Sequence, residues 1–238
     1  MIVMTPELKA YWSRLEELDR LWRQREELAR KPVSADVIEA YALHRLEHFT
    51  HGASIDGLYR EYVHQLALYF AQDPAGKIPS YKGGLLTGGV GSGKTTLFKA
   101  FDLTHHYIQG ERILTDKNIR RLTIVSCNSI ARAYADEGSG GVGCLKQYFT
   151  GDYMFDDLGS ENASKYYGKV MDVMGEIIQE RYNHSDKIRT YVTTNLCYSE
   201  IEKNYGQRVA SRLCEMCSWF ALGDEVDYRR KYYVQYEA

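Results

Sequence analysis

The sequence predicts an α/β domain in which five parallel strands form one sheet between layers of helices. Five short apolar runs alternate with helix-length amphipathic segments over residues 81–222. The first run leads straight into a glycine-rich loop, and the third run ends in two acidic residues. This combination is typical of doubly wound sheets, which bind their ligands at the carboxyl ends of the strands.

The composition limits the number of domains and the cellular compartment. A chain of 238 residues with 44% hydrophobic residues can bury one α/β core and a smaller appendage. Its 30 basic and 32 acidic residues nearly balance, so any nucleic-acid surface must be local. The apolar stretch at the start is too short for a signal sequence, and charges interrupt every later apolar run before it reaches membrane-spanning length. The five cysteines are an odd number, which fits reduced thiols better than a set of disulfides. We therefore expect a cytoplasmic protein with reduced thiols and no membrane partner.

Residues 1–52 are predicted to form a helical N-terminal extension. Apolar residues recur at steps of three and four from Glu7 to Arg30, and a proline at position 32 breaks the pattern. A second helix is expected after Ser34, its N-cap, and should continue toward Phe49. A hairpin of this size has too small a core to be stable alone. It either packs on the following domain or binds a partner protein, and the spacing does not decide between the two.

The main domain is predicted over residues 53–238 and opens with a helix from about Ile55 to Ala71. The first strand, at residues 83–87, is followed by a helix from Thr96 to Ile108. A run rich in β-branched residues predicts the second strand at residues 122–127, with a helix through residues 130–135 after it. The fifth strand is expected at residues 218–222, near the end of the chain.

A glycine-rich loop follows the first strand and reads Gly88-Gly89-Val90-Gly91-Ser92-Gly93-Lys94-Thr95, then Thr96. It matches the phosphate-binding pattern G-x-x-x-x-G-K-[ST] without a substitution. Glycines allow the positive φ angles with which consecutive N–H groups converge on a phosphate. Lys94 is expected to reach the outer phosphates and the Thr95 hydroxyl to coordinate Mg²⁺. The loop, including Thr96, therefore predicts a site for ATP and Mg²⁺.

Two later strands are predicted to end in polar residues. The strand from Tyr153 ends in Asp156, which is expected to orient the Mg²⁺ shell, and Asp157, which is placed to polarise water. The strand from Ile188 ends in Asn195. Because the carboxyl ends of parallel strands face the ligand, we expect Asn195 between Asp157 and the terminal phosphate, where it would orient the attacking water.

The order of these motifs resembles AAA+ ATPases of the DnaC helicase-loader and IstB transposition-helper type. The resemblance covers roughly residues 81–229 and does not extend well over the N-terminal extension. Besides the phosphate loop, it is carried by Phe155-Asp156-Asp157-Leu158-Gly159-Ser160-Glu161, Thr193-Thr194-Asn195-Leu196 and Tyr205-Gly206-Gln207-Arg208-Val209-Ala210-Ser211-Arg212-Leu213. It implies an AAA+ ATPase without the full helical lid domain of larger relatives, because only residues 223–238 follow the fifth strand.

The resemblance also implies a homo-oligomer in which an arginine of one subunit reaches the nucleotide of its neighbour. Arg208 and Arg212 are the candidates, because they lie four residues apart and hence on one face of a predicted helix. We expect Arg212 to be this arginine finger and Arg208 to support it, with an ion pair inside the chain as the alternative for Arg212. Arg229 is a candidate second sensor.

The second acidic residue of the β-strand from Tyr153 departs from the family pattern, and this difference affects the expected hydrolysis rate. AAA+ ATPases generally carry glutamate where this chain has Asp157. Aspartate is one methylene shorter, so a direct hydrogen bond to the attacking water is harder to make. We therefore expect slow hydrolysis.

The implied partners are DNA and a second protein. The region that contacts single-stranded DNA in such loaders corresponds to residues 128–148, in which Arg132, Lys146 and Tyr148 could bind phosphates and stack on bases. A solvated helix followed by a loose loop is the alternative.

The function best implied is a loader that binds a replicative helicase through the N-terminal helices. The alternatives are a helper that recruits a transposase, a nucleotide-gated scaffold with little hydrolysis, and a small-molecule kinase, which the water-orienting residues disfavour.

Overall fold

A computed structural model describes the chain at residues 6, 11–21, 33–50, 57–79, 81–101, 107–108, 111–112, 122–136, 138–161, 164–166 and 169–222. The helices in chain order are α1 (residues 11–21), α2 (Ala35–Phe49), α3 (Gly57–Ala71), α4 (Lys94–Ala100), α5 (Cys127–Ala135), α6 (Val142–Leu145), α7 (Val173–Tyr182), α8 (Tyr198–Tyr205) and α9 (Gln207–Met216), with a 3₁₀ turn at Lys146–Tyr148. The strands are β1 (Gly83–Thr87), β2 (Tyr107–Ile108), β3 (Glu111–Arg112), β4 (Thr123–Ser126), β5 (Tyr153–Leu158), β6 (Ser164–Tyr166), β7 (Lys169–Met171), β8 (Thr190–Thr194) and β9 (Cys217–Ala221). Among these residues, no helix has the length and hydropathy needed to cross a bilayer.

Five of the strands form one parallel sheet in the order β4-β5-β8-β1-β9. Strand β1 lies between β8 and β9, with Leu85 opposite both Val192 and Trp219. The predicted five-stranded parallel α/β fold is therefore confirmed. Since β1 and β8 are central and covered on both faces, their residues are almost all buried.

The sheet separates two hydrophobic clusters, one on each face. Because successive strand residues point to opposite faces, Leu86 belongs to the cluster beneath α2, α3 and α4, whereas Leu85 belongs to the cluster beneath α5, α7 and α9. Met154 and Phe155 divide in the same way on β5. The two clusters fix the positions of β1, β5 and β8, whose carboxyl ends carry the residues that the sequence predicts to bind ATP and Mg²⁺.

Helix α2 packs on the core of the main domain. It begins directly after Ser34, as the sequence predicts, although the Ser34 side chain makes no capping hydrogen bond. Its buried residues Ile38 and Leu46 join the cluster that also contains Val63 of α3 and Phe98 of α4. The packing alternative therefore holds for α2. Helix α1 exposes its side chains, and partner binding through it stays a prediction.

Helix α4 is shorter than the sequence predicts. It ends at Ala100, and Tyr107–Ile108 instead pairs antiparallel with Glu111–Arg112. The predicted helix from Thr96 to Ile108 is therefore wrong at its C-terminal end. Aromatic and β-branched residues such as those of Tyr107–Ile108 favour strands. A second hairpin, β6–β7, was not anticipated either.

The amino ends of β5 and β8 are held together by Arg181 of α7, which is fully buried. Its guanidinium donates to Thr190 Oγ1 at 2.9 Å and to the carbonyl oxygens of Tyr148, Gly151 and Arg189 at 2.7–2.8 Å. Burial lowers the pKa of Arg181 to about 10, because a charged group loses solvation there. These four hydrogen bonds compensate a buried cation and connect residues 148–151 to the sheet.

Candidate nucleotide-binding site

The phosphate loop connects the carboxyl end of β1 to the first residue of α4. Gly88, Gly91 and Gly93 have φ angles of 151°, 81° and 87°, in a region that glycine enters without strain. Strand, glycine loop and helix therefore follow one another in the arrangement that a phosphate-binding loop needs.

Lys94 is the buried cation of the site, with 5% of its surface exposed. Its Nζ donates to the carbonyl oxygens of Gly88 and Gly89 at 2.8 and 2.7 Å, and to Asn195 Oδ1 at 2.7 Å. The hydrogen bond to Asn195 joins the phosphate loop to the end of β8. The structure thus brings together the lysine and the amide that the sequence assigned to the terminal phosphate.

Thr95 and Asp156 are also brought together. Thr95 Oγ1 donates to Asp156 Oδ1 at 2.7 Å, and Thr193 Oγ1 donates to the same oxygen at 2.6 Å. Mg²⁺ prefers hard oxygen ligands, and a hydroxyl beside a carboxylate is a donor set of that kind. Thr95 and Asp156 therefore fit the metal-binding role that the sequence predicts for them.

Asp157 lies in a bulge of β5. The pairing register between β5 and β8 shifts between Phe155 and Leu158, and Asp157 has a φ of 58°. Its backbone N–H, which the bulge removes from the ladder, donates to Thr193 Oγ1 at 2.9 Å instead. A bulge of this kind redirects a side chain, and Asp157 is exposed at the strand end, one residue beyond Asp156.

Thr193 is a site residue that sequence reasoning missed. Its hydroxyl accepts from Asp157 N and donates to Asp156 Oδ1, so it contacts both acidic residues while its own side chain is fully buried. A signal was present, since Thr193 is a polar residue in a strand predicted to lie inside the sheet, and buried polar groups need partners. Its partner could not be inferred without the register of β5 against β8.

Tyr59 of α3 contacts the phosphate loop and was not predicted to do so. Its hydroxyl donates to the Gly93 carbonyl oxygen at 3.0 Å. A Cβ atom added to Gly93 would lie 2.9 Å from this hydroxyl oxygen. The loop is therefore confined by the helix that precedes β1 as well as by its own glycines.

The two candidate arginines lie one turn apart on α9, as expected. Arg208 is exposed, whereas Arg212 is partly buried with its guanidinium carbon 4.7 Å from the centroid of the Tyr182 ring. In the described part of the chain, neither arginine forms an ion pair. The intrachain contact of Arg212 is thus a cation–π contact rather than the ion pair considered from the sequence.

The region proposed to contact DNA divides into exposed and packed residues. Arg132 of α5 and Lys146 of the 3₁₀ turn are exposed. Tyr148 is partly buried, and its ring packs edge-on against Tyr153 at a centroid distance of 5.4 Å. The two cations are therefore more accessible than the aromatic ring. Arg229 lies outside the described residues, as do parts of the predicted helix from Glu7 to Arg30.

Comparison with known proteins gives a similarity in structure. No protein-family model and no curated protein matches the chain. A solved structure described as "Crystal structure of the DnaC helicase loader" superposes with a TM-score of 0.50 at 19% sequence identity, over 77% of this chain and 98% of that chain. This chain has the DnaC helicase-loader fold. The predicted resemblance to DnaC-type AAA+ ATPases is confirmed at the level of the fold, and the DnaC-like sheet carries the phosphate loop and acidic residues described above.

Proposed function

We propose that this protein is an AAA+ ATPase that assembles with copies of itself on DNA and loads a replicative helicase. The observation that supports the ATPase assignment best is the convergence of Lys94, Thr95, Asp156 and Asn195 through hydrogen bonds of 2.7 Å at the ends of three parallel strands. The DnaC-like fold supports the loader assignment.

ATP binding uses the loop amides and Lys94. The Lys94 ammonium is held by carbonyl and amide oxygens, and phosphate oxygens are stronger acceptors for the same donors because they are charged. Thr95 and Asp156 hold Mg²⁺, which neutralises phosphate charge when bound. Loss of Lys94 in a Lys94→Ala variant is expected to abolish nucleotide binding in an equilibrium assay with a fluorescent ATP analogue.

Hydrolysis requires a positioned water. Asp157, exposed at the bulge, polarises this water, and Asn195, directly after β8, orients it beside the terminal phosphate. The short Asp157 side chain makes hydrolysis slow. Single-turnover phosphate release tests this step, because a small-molecule kinase would transfer the phosphoryl group to a metabolite and a nucleotide-gated scaffold would release almost no phosphate.

Assembly of several subunits supplies a second cation, an arginine, to each nucleotide. Arg212 of one subunit reaches the terminal phosphate of its neighbour, with Arg208 supporting it, since both lie on one face of α9 and neither is used in an ion pair within the described residues. Arg212→Ala is expected to reduce phosphate release by about 100-fold or more while nucleotide affinity is retained. Lys203→Ala, which removes another exposed cation on the adjacent helix, is the matched control.

The helicase contact is assigned to α1. Its apolar residues are exposed, Trp12 by 51% and Leu18 by 49%, whereas the apolar face of α2 is already buried in the core. Leu18→Glu in the full-length chain is expected to prevent capture of a hexameric helicase. Ser13→Glu adds the same charge on the opposite side of the helix and should leave capture intact.

DNA contact is assigned to the surface that carries Arg132 and Lys146. Alanine at both positions is expected to weaken binding of single-stranded DNA and its stimulation of phosphate release. If the unmodified protein captures no helicase and prefers duplex DNA, the transposition-helper alternative replaces the loader assignment. The shared ATP site would be unaffected by that outcome.

A further inference from the structure

We propose that the hydrogen bond between Tyr205 and Glu161 sets the position of the arginine-bearing helix relative to the acidic residues of the same subunit. The inference rests on the proposed function, because it assigns Tyr205 and Glu161 a positioning role for the arginine that is offered to the neighbouring subunit. It connects the site that a subunit uses for its own nucleotide with the cation that it supplies to the next subunit.

The Tyr205 hydroxyl donates a hydrogen bond to Glu161 Oε1 across 44 residues of sequence. Glu161 Oε2 accepts from the backbone N–H of Gly159 at 2.9 Å, so both carboxylate oxygens have donors. Both side chains are partly buried. Burial raises the pKa of Glu161, and the hydrogen bond from Tyr205 opposes that rise. A partly buried carboxylate held by two donors is a directional connection between two segments.

Glu161 is attached to the acidic end of β5 through a tight loop. The Ser160 N–H donates to the Asp157 carbonyl oxygen at 3.0 Å, which closes a turn directly after the bulge. Gly159 packs so closely on Leu196 that an added Cβ would lie 2.5 Å from Leu196 Cδ1. Leu196 follows Asn195 in the chain. The loop that carries Glu161 therefore contacts Asp157 on one side and Leu196, the residue after Asn195, on the other.

Tyr205 is attached to the arginine helix. It is the last residue of α8, and only Gly206, with a φ of 85°, separates it from the first residue of α9. Arg208 lies one residue further. The C-terminal end of α9 is held separately, because Tyr182 of α7 donates to Glu215 Oε2 at 2.8 Å and buried apolar contacts pack α9 on α7. The hydrogen bond from Tyr205 thus supplies the directional restraint at the end of α9 that carries Arg208.

Mixed assemblies test the inference, because they separate the subunit that hydrolyses from the subunit that donates the arginine. An Arg212→Ala subunit keeps its own site, and an Asp157→Asn subunit binds nucleotide and keeps its arginine. Neither variant alone should release phosphate at the normal rate, and their mixture should recover activity. With Tyr205→Phe added to the Asp157→Asn donor, we expect about a 10-fold lower rate, as for loss of one hydrogen bond to a charged group.

A second readout does not depend on activity. In the protein without nucleotide, Tyr205→Phe should increase amide hydrogen exchange over residues 206–213 and leave residues 190–194 of the central strand unchanged. Tyr198→Phe is the matched control, since it removes a hydroxyl from an exposed tyrosine of the same helix. Glu161→Ala removes the other member of the pair and is expected to reproduce both effects of Tyr205→Phe.

The outcomes are distinguishable. If the Asp157→Asn and Arg212→Ala mixture recovers activity and Tyr205→Phe in the donor has no effect, the inference is overturned while the proposed function stands. If that first mixture recovers nothing, the arginine does not act between subunits, and both the proposed function and the inference fall. Unchanged exchange over residues 206–213 in both Tyr205→Phe and Glu161→Ala would also contradict the inference.

Discussion

The hydroxyl of Thr193 donates to Asp156 Oδ1 at 2.6 Å and at the same time accepts the backbone N–H of Asp157 at 2.9 Å. One buried threonine on β8 therefore orients the Asp156 carboxylate, which we propose to bind Mg²⁺, and replaces the ladder hydrogen bond that the β5 bulge removes from Asp157. The geometry of both acidic residues depends on a neighbouring strand rather than on β5 alone.

Thr193→Val tests this dependence. Valine has nearly the shape of threonine but neither donates nor accepts, so the Asp157 N–H and one Asp156 oxygen lose a partner. We expect a loss of about 1–3 kcal/mol in unfolding free energy and weaker Mg²⁺-dependent ATP binding. Urea denaturation and equilibrium binding measure the two effects. Thr193→Ser keeps the hydroxyl and should restore binding, whereas wild-type affinity in Thr193→Val would refute the assignment.

Asp157→Glu tests the expectation that the short Asp157 side chain makes hydrolysis slow. The longer side chain reaches the attacking water more easily, so single-turnover phosphate release should be faster than in the wild type. The φ of 58° is more favourable for aspartate than for glutamate, so a slightly lower melting temperature is expected as well. Asp157→Asn, which keeps the backbone preference, should be inactive. An unchanged rate in Asp157→Glu counts against this explanation.

Gly93→Ala tests the confinement of the phosphate loop by α3. The φ of 87° disfavours alanine, and the new Cβ would lie 2.9 Å from the Tyr59 hydroxyl oxygen. We expect the loop to shift and nucleotide affinity to fall at least about 10-fold, from the combined strain of about 1–2 kcal/mol or more. Gly57→Ala, where an added Cβ meets nothing within 4 Å, is the control. Equal affinities for the two variants would exclude a role for this contact.

The ion pair between His64 of α3 and Glu39 of α2 predicts a pH dependence. Their side chains approach to 2.7 Å, and the hydrogen bond with Glu39 raises the pKa of His64, assisted by the nearby charges of Glu61 and Asp36, against a lowering by burial. Since the pKa is higher in the folded state, the stabilisation is complete below the unfolded value of about 6.5 and is lost as the pH rises through the folded value.

His64→Asn should therefore destabilise the protein at pH 6 and have little effect at pH 8.5. The pair is partly exposed to solvent, so the effect at pH 6 should not exceed about 1 kcal/mol. Chemical denaturation at the two pH values measures it. His184→Asn, at an exposed position outside this pair, is the control. An effect of His64→Asn that is independent of pH would show that lost packing, and not the charge, is responsible.

The parts of the fold and site that the sequence predicted are those encoded by contiguous residues. The glycine spacing from Gly88 to Lys94 determines the loop, and a strand that ends in two acids is visible in the sequence. Tyr59, Thr193 and the Tyr205–Glu161 pair were missed, because each makes a contact across 34 to 44 residues that depends on strand register and helix packing.

The N-terminal helices show a different limit. Amphipathic spacing is the same whether a helix face covers its own core or a partner protein. Only the packed structure shows that α2 is buried against α3 and α4 while the apolar residues of α1 are exposed. The end of α4 was wrong because the helical pattern continued into Tyr107–Ile108, whose strand preference and hairpin pairing prevail.

Sedimentation velocity tests the central claim most directly, namely that nucleotide held by Lys94 is sensed by an arginine of the next subunit. With a non-hydrolysable ATP analogue and single-stranded DNA, the wild-type protein should form a defined oligomer, and Lys94→Ala should remain monomeric. Arg212→Ala should assemble more weakly than Lys203→Ala. A wild-type protein that stays monomeric at high concentration with both ligands present would contradict the account.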